Sequence, residues 1–201
     1  MMSHEPKINR AIKLVAKISI DKASQVFSKL LKSGARIEME NAFLADLTSV
    51  TEKINQDDTN VVGAFVNLVG EVNFKFLFYV QIQDSMLLAD LMLRREVGTT
   101  KEFDLYAASA VQEIGNILAS AISGVFASDF SIDLQPTPPL VVNDYVGTVF
   151  QEFLVSTVPE RNEILIIESC FHVIKNDIRC HMYLLPVGES EKVLSYIINT
   201  M

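Results

Sequence analysis

Between Leu105 and Ser128 the chain reads LYAASAVQEIGNILASAISGVFAS, a run in which Glu113 is the only Asp, Glu, Lys or Arg. Its polar residues Ser109, Glu113, Asn116, Ser120 and Ser123 recur at steps of 4, 3, 4 and 3. That spacing stacks them as one stripe along a helix, while Leu105, Ala108, Val111, Leu118, Ile122 and Val125 turn mostly elsewhere. An ordinary solvated helix face carries several Lys and Glu at i,i+4 spacing, and this stripe does not. Two readings fit: a flat, small-residue surface shaped for contact, or a mostly buried helix whose few polar groups are satisfied internally.

The surrounding chain states one pattern twice. A long helix is predicted at about 8–33, ended by Ser33-Gly34. Extended segments follow near 36–46, 60–69 and 72–82, then a shorter helix at about 84–95. In the third segment Val72, Phe74, Phe76, Phe78, Val80 and Ile82 fall on one face and Asn73, Lys75 and Gln81 on the other, the signature of a strand with one buried face. Gly70-Glu71 between two strands suits a tight hairpin turn. The second half repeats the order: a long helix over 102–126, an extended crossing at Gln135-Pro136-Thr137-Pro138-Pro139, strands near 146–158, 162–174 and 178–185, and a last helix at about 189–199. The expected fold is α+β, an internal duplication of helix–three strands–helix around antiparallel sheet. One domain spans 1–201, with pseudo-repeats at about 1–100 and 101–201.

A chain of 201 residues, 49% hydrophobic and 21% charged, has material for a core and is not a disordered or fibrous composition. The net charge of −8 speaks against general nucleic-acid binding, which depends on neutralising phosphates. Charges or amides cut each apolar stretch before the roughly 18 residues of a span, so no membrane insertion is expected. No apolar segment follows the opening Met-Met-Ser-His-Glu-Pro-Lys, and a cytoplasmic location is the expectation. The charge is uneven: residues 1–36 hold eight Lys/Arg against two Asp/Glu, and the rest nine against 23. Arg10, Lys13 and Lys17 line one helical face, either a solvated surface or a dock for an acidic partner.

Cys170, His172, Cys180 and His181 have the residue types of a zinc site but not its geometry. With a turn at Asn176-Asp177 pairing His172 with His181, alternation puts Cys170, His172 and His181 on one strand face and Cys180 on the other, among Phe171, Val173, Ile178, Met182 and Leu184. Cys180 reads as a core thiol. The sequence has no phosphate loop, dinucleotide fingerprint or nucleophile elbow.

Ser109, three residues, Glu113, two residues, Asn116, 22 residues and Pro139 together resemble the signature of the CheC/CheX/FliY family of chemotaxis phosphatases, Asp or Ser–x3–Glu–x2–Asn–x22–Pro. The resemblance implies a CheC-like fold with two long helices on one side of an antiparallel sheet. It implies hydrolysis of the aspartyl phosphate of a CheY-like response regulator. Glu113 would pair with the lysine beside the phosphosite, Asn116 would orient a water in line with phosphorus, and Ser109, Gln112 and Ser120 would contact the substrate. No cofactor of its own is implied; Mg2+ would arrive with the regulator. A CheD-like regulator and a homodimer are further partners the resemblance allows. Many members carry the Glu-x2-Asn pair in both long helices. Here no Glu lies between Glu5 and Glu38 and no Asn between Asn9 and Asn41, so one site per chain is expected. The alternative is a noncatalytic receiver-binding adaptor or flagellar-switch-like module.

Overall fold

The computed structural model of the chain describes residues 5–31, 35–46, 58–155, 163–188 and 190. In order they form α1 (Glu5–Leu31), β1 (Ala35–Asp46), β2 (Asn60–Gly70), β3 (Asn73–Gln81), α2 (Ile82–Met92), α3 (Leu105–Phe130), β4 (Leu134–Pro136), β5 (Leu140–Tyr145), α4 (Val146–Val155), β6 (Glu163–Val173) and β7 (Ile178–Val187). The seven strands make one sheet in the order β1-β6-β7-β3-β2, with β4 and β5 both on the far side of β2, and every pairing is antiparallel. Exchanging β1 with β5, β2 with β6 and β3 with β7 reverses this order onto itself. This symmetry is what an internal duplication leaves in a sheet.

The long helices α1 and α3 lie side by side on one face, as anticipated. Ile20, Ala23, Phe27 and Leu31 of α1 recur every three or four residues and are buried, as are Val111, Ile114, Leu118, Ile122 and Phe126 of α3. Both sets close on Val66, Phe74, Phe76, Phe78, Phe171 and Cys180 of the sheet. Phe27 meets Phe171 edge-on with ring centroids 4.2 Å apart.

The predicted strand at 146–158 is instead the helix α4, up to the last described residue there, Val155. Its β-branched and aromatic content disguised a helical period: Val146, Val149, Phe150, Phe153 and Leu154 stand at i, i+3, i+4, i+7 and i+8, and all five are buried. They cover the opposite face of the sheet at Val61, Leu77, Tyr183 and Leu185. β3 is therefore buried on both faces in its central part, with Leu77 turned toward α4.

Gly70 does not form the anticipated tight turn. Leu68 pairs with Phe74, a wider connection, and Gly70 is absent from the glycines with positive φ. Its lack of a side chain serves a close approach instead, because the Asp133 carbonyl occupies the place of a Cβ. The β6–β7 connection is also longer than anticipated, pairing His172 with Arg179 and Cys170 with His181. The register moves by two residues, so the predicted faces survive. Cys180 is buried with Phe171 on the α1/α3 side, and burial pushes its thiol pKa well above the usual range. His172 Nε2 lies 2.8 Å from Asp177 Oδ1. The predicted stop at Ser33-Gly34 and all of the predicted last helix but residue 190 lie outside the described residues.

Candidate functional site

α3 begins where Asp104 caps it: Oδ1 accepts the backbone N–H of Tyr106 and of Ala107, each at 2.9 Å. The segment before it is fixed by Asp90, which is fully buried. Its carboxylate accepts the N–H groups of Gly98 and Thr99, both at 2.8 Å, and the Thr100 hydroxyl at 2.6 Å. Burial alone would raise the Asp90 pKa, but these donors outweigh it and hold the group below its ordinary value. No sequence motif marks Asp90; its signal is only an acid at the end of one helix, followed by Gly98-Thr99-Thr100 before the next.

α3 is the one described helix long and apolar enough to cross a membrane by length and composition, which corrects the expectation that every apolar run is cut too early. Its apolar side lies on α1, α2 and the sheet instead. At Gly115 the contact with β2 is so close that an added Cβ would stand 2.7 Å from Ala64 Cβ.

This seating turns the polar stripe outward. Ser109, Gln112, Glu113 and Ser120 are exposed and Asn116 is half-exposed. Glu113 and Asn116 stand one turn apart, and neither makes a hydrogen bond or ion pair with another described residue. Gln112 is engaged: its Nε2 donates to the Pro139 carbonyl at 3.3 Å, joining the helix to the last residue of the motif. The linking segment is tied to β2 as well, for Thr137 N–H donates to Asn67 O at 2.8 Å and Asn67 N–H to Thr137 Oγ1 at 3.1 Å. Five motif-region residues thus share one surface, with a carboxylate and an amide free to meet a partner.

Two stripe assignments change. Ser123 is buried, its hydroxyl without a hydrogen-bond partner, because a 3.5-residue step drifts about 20° per heptad on a 3.6-residue helix. Leu105, expected to turn away, is 84% exposed on the same face as the motif.

α1 offers no equivalent pair. Ile20, Ala23, Phe27 and Leu31 match Ala119, Ile122, Phe126 and Phe130 at one constant offset. At that offset Lys17 stands where α3 has Asn116 and Asp21 where it has Ser120, and Lys17 Nζ bonds Asp21 Oδ2 at 3.0 Å. Arg10 and Lys13 belong to α1, but their side chains lie outside the described residues.

Residues 107–142 match the model of the CheC-like family. Across 185 residues the chain is 22% identical to the CheY-P phosphatase CheC of Bacillus subtilis (strain 168), covering 88% of this chain and 86% of that one. Its fold is similar to Thermotoga maritima FliY, with a TM-score of 0.74 at 14% identity over 97% of both chains. It is also similar to the CheX-CheY-BeF3-Mg+2 complex from Borrelia burgdorferi, with a TM-score of 0.57 at 19% identity over 86% of this chain and 97% of that one. The FliM middle domain from H. pylori shares the architecture too, at a TM-score of 0.67 and 11% identity over 94% and 97%. A match centred on the motif helix, a likeness to a CheC along most of the sequence and a fold held in common with FliY and CheX all join this chain by similarity to the CheC/CheX/FliY family.

Proposed function

We propose that the chain is a protein-aspartyl-phosphate phosphatase acting on a CheY-like receiver in cytoplasmic signalling, through a single site made by Glu113 and Asn116. The observation that carries this reading is the pair itself: an exposed carboxylate and a half-exposed amide one turn apart, neither side chain paired with another described residue, presented by a firmly seated helix. The family's curated relative is named as a CheY-P phosphatase, and a CheX of the same fold was crystallised with CheY.

Phosphoryl transfer depends on positioning and charge stabilisation more than on covalent chemistry from the enzyme. Glu113 suits the role of anchor, its carboxylate accepting from an ammonium beside the receiver's phosphosite. Docked by that contact, the Asn116 amide reaches the phosphoryl group. A neutral amide both donates and accepts, so it can hold a water without repelling the anion. The water oxygen forms the new bond to phosphorus as the bond to the aspartyl oxygen breaks, giving inorganic phosphate and a free carboxylate. Mg2+ belongs to the receiver in this scheme. Ser109 and Ser120 flank the pair as substrate contacts, and Gln112 acts through Pro139 to position the surface.

Steady-state kinetics separates these roles. Asn116→Ala should lower kcat by about 100-fold or more with KM little changed, and Glu113→Ala should chiefly raise KM. An Asn116→Ala protein as active as wild type would refute the mechanism. The FliM-like architecture favours a second reading, a noncatalytic receiver-binding module. Such a protein would bind phosphorylated receiver without shortening the lifetime of its phosphate.

A further inference from the structure

The surface beside the Glu113–Asn116 pair carries exposed apolar groups that the chemistry above does not use. Leu105 lies eight residues before Glu113 and eleven before Asn116, which is about 12 and 16 Å along the helix axis and only about 20° off the direction of Asn116. Tyr106 next to it is 55% exposed. The guanidinium of Arg95 sits 5.1 Å from the Tyr106 ring centroid, so the segment after α2 lies against the first turn of α3. Leu93 and Val97, also exposed, come from that segment.

The patch is held in shape. Arg95 N–H donates to Asp90 O at 2.8 Å, and the Asp90 carboxylate fastens residues 98–100. Asp104 caps the helix turn bearing Leu105 and Tyr106. A pre-organised apolar surface with an aromatic ring and a stacked arginine has the composition of an interface hot spot.

We propose that Leu105, Tyr106 and Arg95 form the selectivity-determining dock for the receiver, reading an apolar surface that carries a carboxylate beside the phosphosite. The proposal rests on the phosphatase reading for the identity of the partner. Size supports it: a specific interface covers roughly 800 Å2 on each partner, a disc of about 16 Å radius. Centred on Glu113 and Asn116, such a footprint reaches Leu105. Arg95, held against Tyr106, offers one guanidinium to a carboxylate of the partner, in a segment where Arg94, Arg95 and Lys101 are balanced by Glu96, Glu102 and Asp104.

The test is titration of phosphorylated or beryllofluoride-activated receivers from the source organism, with phosphate release measured in parallel. The proteins are wild type, Leu105→Ser, Arg95→Gln, Asn116→Ala and, as a remote exposed control, Ile174→Ser. The expected result is a Kd and KM at least about tenfold higher for Leu105→Ser with kcat at saturation unchanged. Arg95→Gln should weaken binding several-fold and flatten its salt dependence. Asn116→Ala should keep the wild-type Kd. Wild-type turnover combined with an unchanged Kd for Leu105→Ser and Arg95→Gln overturns the dock and leaves the phosphatase reading standing. A wild type that neither binds nor dephosphorylates any receiver overturns both. Sedimentation showing a wild-type dimer that Leu105→Ser dissociates, with receiver affinity unaffected, overturns the dock in favour of self-association.

Discussion

Gly115→Ala separates two opposed effects whose balance the structure fixes. In a helix interior alanine is favoured over glycine by about 1 kcal/mol, so propensity alone predicts a more stable protein. The new Cβ, however, would stand 2.7 Å from Ala64 Cβ. Non-bonded carbons settle at about 3.5–4.0 Å, so the two backbones must part by roughly 1 Å. Ala64 cannot yield, since it is paired to Phe78 on one side and Val141 on the other. The adjustment falls on α3 at the residue before Asn116. Overpacking of this kind costs about 1–3 kcal/mol, and the net expectation is a loss of about 1 kcal/mol. Urea unfolding should show a lower midpoint at unchanged slope. A shift of this size beside the amide should also lower kcat/KM by up to about 100-fold. Combining it with Ala64→Gly removes the clashing methyl and should restore much of both, leaving a positive coupling in the double-mutant cycle. A Gly115→Ala protein about 1 kcal/mol more stable than wild type, as propensity alone gives, refutes the reasoning.

Asp90→Asn should cost about 1–3 kcal/mol at neutral pH by weakening a buried, fully donated carboxylate, read by equilibrium unfolding. Because the folded-state pKa of Asp90 lies below the ordinary value of 3.8, its contribution is present above that value. It is lost as pH falls through the lower folded-state pKa, so acid unfolding of wild type should show a dependence that Asp90→Asn lacks. Phe27→Ala should cost about 3–5 kcal/mol, since the ring is fully buried against Phe171. That loss should appear in the denaturation midpoint while the receiver Kd of the folded protein stays at the wild-type value.

The elements most legible in the sequence were those whose burial follows one period. The Phe74–Phe76–Phe78 alternation and the α3 stripe from Ser109 to Ser120 stand where the spacing puts them, and the motif residues on α3 share a surface. Sequence reasoning failed where two principles competed. In residues 146–155 β-branched composition outweighed a helical spacing that was present all along. At Gly70 and Gly115 the reason for glycine is a neighbour brought close only by tertiary packing, which no local pattern encodes. The Asp90 clasp joins residues eight to ten apart through backbone N–H groups, and these leave no residue-type signature. Leu105 was misread because membership of an apolar run does not say which face meets the sheet.

The most direct test of the account is the rate of phosphate loss from phosphorylated receivers of the source organism, with wild-type protein and Asn116→Ala side by side. The account predicts that wild type accelerates loss from at least one receiver and that Asn116→Ala, folded and still bound, does not. Acceleration undiminished in Asn116→Ala, or none from wild type on any receiver, would contradict it.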